Sequence, residues 1–60
     1  MRAIEVEKSI LLDGWILKAQ KGSHRHYVHP TKPGKVTIPF HRGDLDNRTV
    51  KSIMKQAGLE

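Results

Sequence analysis

Sixty residues without a single cysteine must hold together by packing alone. Disulfide staples, Cys-type zinc sites and thiol nucleophiles are all excluded by that one absence, which also fits a reducing compartment. A chain this short buries only ~60% of its unfolded surface, so residues 1–60 are expected to form one small domain. It has no room for a large cofactor-binding fold, and no small-molecule cofactor is expected. No apolar run approaches the roughly 18 residues of a membrane span, and Met1-Arg2-Ala3-Ile4-Glu5 lacks the apolar stretch of a signal peptide. The expectation is a soluble cytoplasmic protein with no membrane partner.

The apolar residues that must supply the packing change their period along the chain. Between Arg2 and Leu12, Ala3, Val6 and Ile10 recur at i, i+3 and i+7, the mark of one helical face. Asp13-Gly14 stops that helix. Trp15 to Gln20 is rich in strand formers, and strict alternation puts Trp15, Leu17 and Ala19 on one side with Lys18 and Gln20 on the other. Lys21-Gly22-Ser23 makes a turn, His24 to His29 is a second extended run closed by Pro30, and Lys32-Pro33-Gly34-Lys35 has the type II turn pattern. Lys35 to Pro39 forms a third strand with Val36 and Ile38 on one face and Thr37 on the other. Val50, Ile53, Met54 and Ala57 then fall at i, i+3, i+4 and i+7, a helix starting between Asp46 and Thr49 and ended by Gly58. The order α-β-β-β-α predicts an α+β fold. Its three-stranded antiparallel meander carries both helices on one face and leaves the other open.

Which residues reach the open face turns on the second strand. His24, His26 and Val28 share one side, and Arg25, Tyr27 and His29 share the other. Tyr27 is the largest apolar body available, so it is placed inward, with its hydroxyl reaching a partner at the core's edge. His24 and His26 then face outward. Were Val28 inward instead, both histidines would lie under the helices as hydrogen-bonded structural residues. Trp15 joins Tyr27 in the core, and Phe40 is expected at the surface.

Charge separates along the chain in the same way. Eleven Lys and Arg stand against six Asp and Glu, a net charge of +5. No acid lies between Gly14 and Gly43, where Lys18, Lys21, Arg25, Lys32, Lys35 and Arg42 occur together with all four histidines. A block of one sign attracts a polyanion, with nucleic acid foremost. An imidazole among phosphate-binding lysines has a specific use on RNA, because a neutral ring can remove the proton of the 2′-hydroxyl beside each phosphodiester. Lys and Arg neighbours would stabilise the charge that builds on phosphorus. Ser23 could orient a phosphate through its hydroxyl and Gly22 could let the RNA backbone approach closely, although both suit a turn equally well. The pattern His24-x-His26-x-x-His29 resembles a zinc ligand set. A strand would send His29 to the opposite face, however, and no cysteine or nearby carboxylate completes it, so no metal is expected.

Read together, these pieces resemble the HicA toxins of bacterial and archaeal toxin-antitoxin systems. The resemblance rests on Asp13-Gly14-Trp15, Lys21-Gly22-Ser23-His24-Arg25-His26-Tyr27, His29-Pro30, Lys32-Pro33-Gly34, Val36-Thr37-Ile38-Pro39 and the run from Thr49 to Leu59. It implies a double-stranded-RNA-binding-like fold and a ribonuclease that cuts mRNA and is neutralised by a HicB-type antitoxin. On that resemblance the Gly-Ser-His motif is Gly22, Ser23 and His24, and His24 is the catalytic histidine. Lys21, Arg25 and His26 are added as RNA contacts from charge and face, and Lys18 and Lys35 from the same basic block. Two other readings remain: an RNA-binding module without catalysis, and a basic surface that exists for an acidic antitoxin.

Overall fold

A computed structural model describes all 60 residues, in the order α1 (Ala3–Leu12), β1 (Ile16–Lys21), β2 (His24–Val28), β3 (Val36–Pro39) and α2 (Asn47–Gln56). At the start of α1 the Glu5 carboxylate accepts the Arg2 N–H at 2.8 Å, and at the start of α2 Asp46 accepts the Thr49 N–H at 2.7 Å. Each bond satisfies a donor that the first helical turn leaves without a partner. The two closing turns repeat one pattern. The Trp15 N–H reaches back to the Ile10 carbonyl and that of Gly14 to Leu11, as Leu59 does to Met54 and Gly58 to Lys55. This double bond is the Schellman ending, and it satisfies carbonyls that would otherwise be orphaned.

The strands form one antiparallel sheet in the order β1-β2-β3, the expected meander, with β2 central. Ala3, Val6 and Ile10 of α1 and Ile53 and Ala57 at the end of α2 meet Trp15, Tyr27, Val36, Ile38 and Leu45 in one core. Val50 and Met54 pack against it half-buried, so the apolar stripe of α2 points where its spacing predicts. Tyr27 is fully buried, and His24 and His26 lie on the side away from the helices.

Two expectations about β1 are corrected. Alternation puts Leu17 and Ala19 on the side of Trp15, but Trp15 is buried and Leu17 is 43% exposed. Both helices pack chiefly against β3, and β1 lies at the far edge of the sheet with all six of its residues exposed. The second correction concerns alternation. Leu17 pairs with Tyr27 but the next pair is Ala19 with His26, so Lys18 is an extra residue with no partner across the ladder. This β-bulge breaks the period of two. Beyond it Ala19 joins His26 on the open face, and Lys21 joins His24 there.

Phe40 also departs from its expected surface position. It is half-buried against the core, and the Arg25 guanidinium lies 4.0 Å above its ring centroid. A cation over an aromatic face is attracted by the ring quadrupole, and each group shields the other from water.

Candidate active site

The turn between β1 and β2 consists of Gly22 and Ser23 alone, with Lys21 directly opposite His24. Gly22 has φ +59° and occupies the first central position of the turn. A two-residue hairpin with glycine there follows the right-handed twist of the strands, and a side chain at that position would oppose the required backbone. A Cβ on Gly22 would meet nothing within 4 Å, so the tip of the hairpin stands clear of the rest of the molecule.

His24 therefore begins the central strand at an open edge, exposed, between Lys21 on β1 and Pro39 on β3. Its ring makes no hydrogen bond to the protein. The ring of His41 lies near it, with centroids 6.3 Å apart and planes inclined at 78°. The register explains this proximity. Pro39 pairs with His24, and the Phe40 N–H then donates to the Ser23 carbonyl at 2.7 Å, extending the β2–β3 ladder one step past β3. Alternation turns Phe40 toward the helices and the following residue, His41, back to the open face. Sequence reasoning assigned His41 no role. Counting the antiparallel register outward from Val36, Thr37 and Ile38 was the signal that would have placed it opposite Gly22.

The other expected site residues divide into two groups. Lys21, Gly22 and Ser23 surround His24, and His26 lies two residues along the same face, half-buried, with Nδ1 2.9 Å from the Thr37 hydroxyl. Lys18 stands at the bulge. Lys35 precedes β3 four residues before Pro39, which puts it about 13 Å along the strand from His24 at ~3.3 Å per residue. Arg25 faces the helices rather than the open side, contrary to its expected contact with RNA. Its Nη1 donates to Glu7 Oε2 at 2.9 Å, and the same carboxylate oxygen accepts the Tyr27 hydroxyl at 2.6 Å. The bond to Glu7 raises the guanidinium pKa above its ordinary value. Burial, and then Glu7, push the Tyr27 hydroxyl well above the tyrosine range. Glu7 is a buried acid on the apolar stripe of α1, and alternation alone gave no reason to pair it with β2.

The opposite end of the sheet uses the same residue types differently. His29 Nδ1 accepts the N–H groups of Thr31 and Lys32, each at 3.1 Å, so Nε2 carries the proton it donates to the Asp13 carbonyl at 2.8 Å. Lys32 Nζ binds Asp13 Oδ2 and, at 3.0 Å, the Ala57 carbonyl, tying the ends of the two helices together. The bond from Lys32 holds the Asp13 carboxyl below its usual pKa. His29 thus lies on the opposite face from His24 and His26, as expected, with both ring nitrogens engaged.

No helix is long and apolar enough to cross a membrane. No curated protein matches the chain. Residues 4–59 match the family model described as the HicA toxin of bacterial toxin-antitoxin systems. The matched span includes Asp13-Gly14-Trp15 and His29-Pro30, at the far end of the sheet, and Gly22-Ser23-His24, at the hairpin tip. The chain belongs to the HicA toxin family, whose members are the toxin half of a toxin-antitoxin pair.

Proposed function

We propose that this toxin is a metal-independent endoribonuclease that cleaves mRNA in the cytoplasm, with His24 as the general base that removes the proton of a ribose 2′-hydroxyl. The observation that carries this reading is the situation of His24. It is an exposed imidazole with both ring nitrogens free of protein partners, at an open hairpin tip, facing the same way as Lys21. A general base must reach its proton at ~2.6–3.2 Å, which requires such access. Lys21 supplies positive charge beside the phosphate, where it opposes the charge that develops on the non-bridging oxygens. The Ser23 hydroxyl and the exposed backbone of Gly22 line the approach, and His26, braced by Thr37, continues the contact surface. Lys18 and Lys35 attract the strand at longer range. Arg25 supports the site from beneath, through Glu7 and Phe40.

A HicB-type antitoxin would neutralise the toxin by covering the same open face. An acidic inhibitor complements Lys18, Lys21, Lys35 and Arg42 for the reason RNA does.

The test is incubation of the purified protein and its His24→Ala form with a long single-stranded RNA in excess chelator, resolved on a denaturing gel. Cleavage by the parent alone is expected. A folded His24→Ala protein that still cuts would end the assignment of His24. Binding of RNA by both proteins with no cleavage by either would make the chain an RNA-binding module.

A further inference from the structure

We propose that His41 is the second catalytic group of this site, the general acid that protonates the departing 5′-oxygen while His24 acts as base. The proposal rests on the ribonuclease reading above and adds the half of the chemistry which that reading leaves unassigned.

Cleavage by an internal 2′-hydroxyl forms one bond to phosphorus and breaks another. The 2′-oxygen attacks as its proton passes to a neutral His24. The bond between phosphorus and the 5′-oxygen breaks, and that oxygen takes a proton from protonated His41. The products are a 2′,3′-cyclic phosphate and a 5′-hydroxyl, with no water consumed. One proton has entered the protein at His24 and one has left at His41, and exchange with solvent restores both. The attacking and departing oxygens lie on opposite sides of phosphorus, so base and acid must be separate groups set on either side of one phosphate.

Four groups near His24 could supply the acid, and their surroundings separate them. His26 has Nδ1 held at the Thr37 hydroxyl and lies further along the strand, away from the hairpin tip. Arg25 faces the helices and is paired with Glu7. Lys21 carries a compact point charge on a flexible stem, suited to holding a phosphate. His41 alone is an exposed imidazole with no hydrogen bond to the protein, and its ring centroid is 6.3 Å from that of His24. The two rings stand edge to face at that separation, close enough for both imidazoles to serve a single phosphodiester.

The loop that carries His41 is anchored on both sides. Before it, Phe40 is fixed by its N–H bond to the Ser23 carbonyl and by the Arg25 guanidinium over its ring. After it, Leu45 is buried, its N–H donates to the Met1 carbonyl at 2.8 Å, and Asp44 forms a bridge with Arg2. The acid is thereby held near the base before RNA arrives, which reduces the ordering left to be done at the reacting phosphate.

The experiment compares the parent, His24→Ala and His41→Ala on two oligonucleotides. Both contain a linkage that the parent cleaves, one with the natural 5′-oxygen and one with sulfur bridging at that position. A thiolate leaves without being protonated, so the sulfur substrate needs a base but no acid. On the natural substrate His41→Ala is expected to lose about 10²–10⁴-fold in rate, and on the sulfur substrate to return to within about tenfold of the parent. His24→Ala should be slow on both. Since His41 is exposed, its variant should keep the parent's circular dichroism and melting temperature. Parental rates of His41→Ala on the natural substrate would overturn the proposal and leave the ribonuclease reading intact. So would a loss that sulfur does not restore. Rescue of His24→Ala by sulfur would exchange the two roles and overturn the assignment made here. A parent protein that cuts neither substrate would remove the ribonuclease reading itself, and this proposal with it.

Discussion

The two ends of the sheet are built from the same kinds of residue and put them to opposite uses. At the far end His29, Lys32 and Asp13 engage one another, and the protein's own backbone occupies both nitrogens of His29. At the hairpin end His24, His41 and Lys21 are exposed, and neither imidazole bonds to the protein. Neither histidine nor lysine is functional or structural by type. What distinguishes them is whether the polar atoms are satisfied internally, because a satisfied group has no bond left to offer a ligand, whereas a free one keeps its bonds available.

Exchanging the treatment of the two ends tests this contrast. The largest effect belongs to His24→Ala, expected to reduce cleavage about 10²–10⁴-fold while leaving the melting temperature unchanged. His29→Ala should do the reverse. It leaves the Asp13 carbonyl and the N–H groups of Thr31 and Lys32 without their partner, at a cost of about 2–3 kcal/mol in urea unfolding, and folded molecules should cut RNA at the parental rate. A His29→Ala protein as stable as the parent would show that the far end is not a structural clamp.

The glycines sharpen the same comparison. Gly14 has φ +103°, and a Cβ there would lie 2.9 Å from His29 Nε2. Gly14→Ala combines backbone strain with displacement of His29, and should cost about 2–3 kcal/mol. Gly22→Ala carries only the backbone strain, about 1–2 kcal/mol, because its surroundings are empty. Equal losses of stability in the two variants would mean that the packing of His29 against Gly14 contributes nothing.

The smallest effect lies between the two ends and appears at high pH. Tyr27 is the only tyrosine, and burial and then Glu7 raise its pKa. A group whose folded pKa exceeds its unfolded value contributes stability that is complete below about pH 10 and is lost as pH rises through the folded value. The tyrosinate absorbance band is therefore expected to appear together with unfolding. Its appearance near pH 10 in a protein with intact circular dichroism would contradict the buried bond to Glu7.

Much of this arrangement was legible in the sequence wherever one element dictates its own geometry. The stripe of Val50, Ile53, Met54 and Ala57 fixed the inward face of α2, and the bulk of Tyr27 oriented β2 and so turned His24 outward. What escaped depended on partners distant in the chain. The acid on Arg25 and Tyr27 comes from α1, 18 and 20 residues away, and nothing local marks Glu7 as its source. Leu17 has the character of a core residue, and only the position of β1 at the uncovered edge exposes it. His41 and Phe40 both took their places from the register between β2 and β3. The extra residue at Lys18 left no mark in composition, since a bulge is a property of pairing.

That extra residue gives β1 one unit of slack. Strict alternation from Leu17 would turn Lys21 to the opposite side of the sheet from His24, and the bulge is what returns it. A chain lacking Lys18 would pair Leu17, Ala19, Gln20 and Lys21 with the same partners in an unbroken ladder. The placing of Lys21 beside His24 therefore needs either the bulge or the removal of residue 18, while the charge of Lys18 is a separate contribution to the surface. The hairpin, rather than the distance from the first helix, therefore sets where Lys21 and His24 meet.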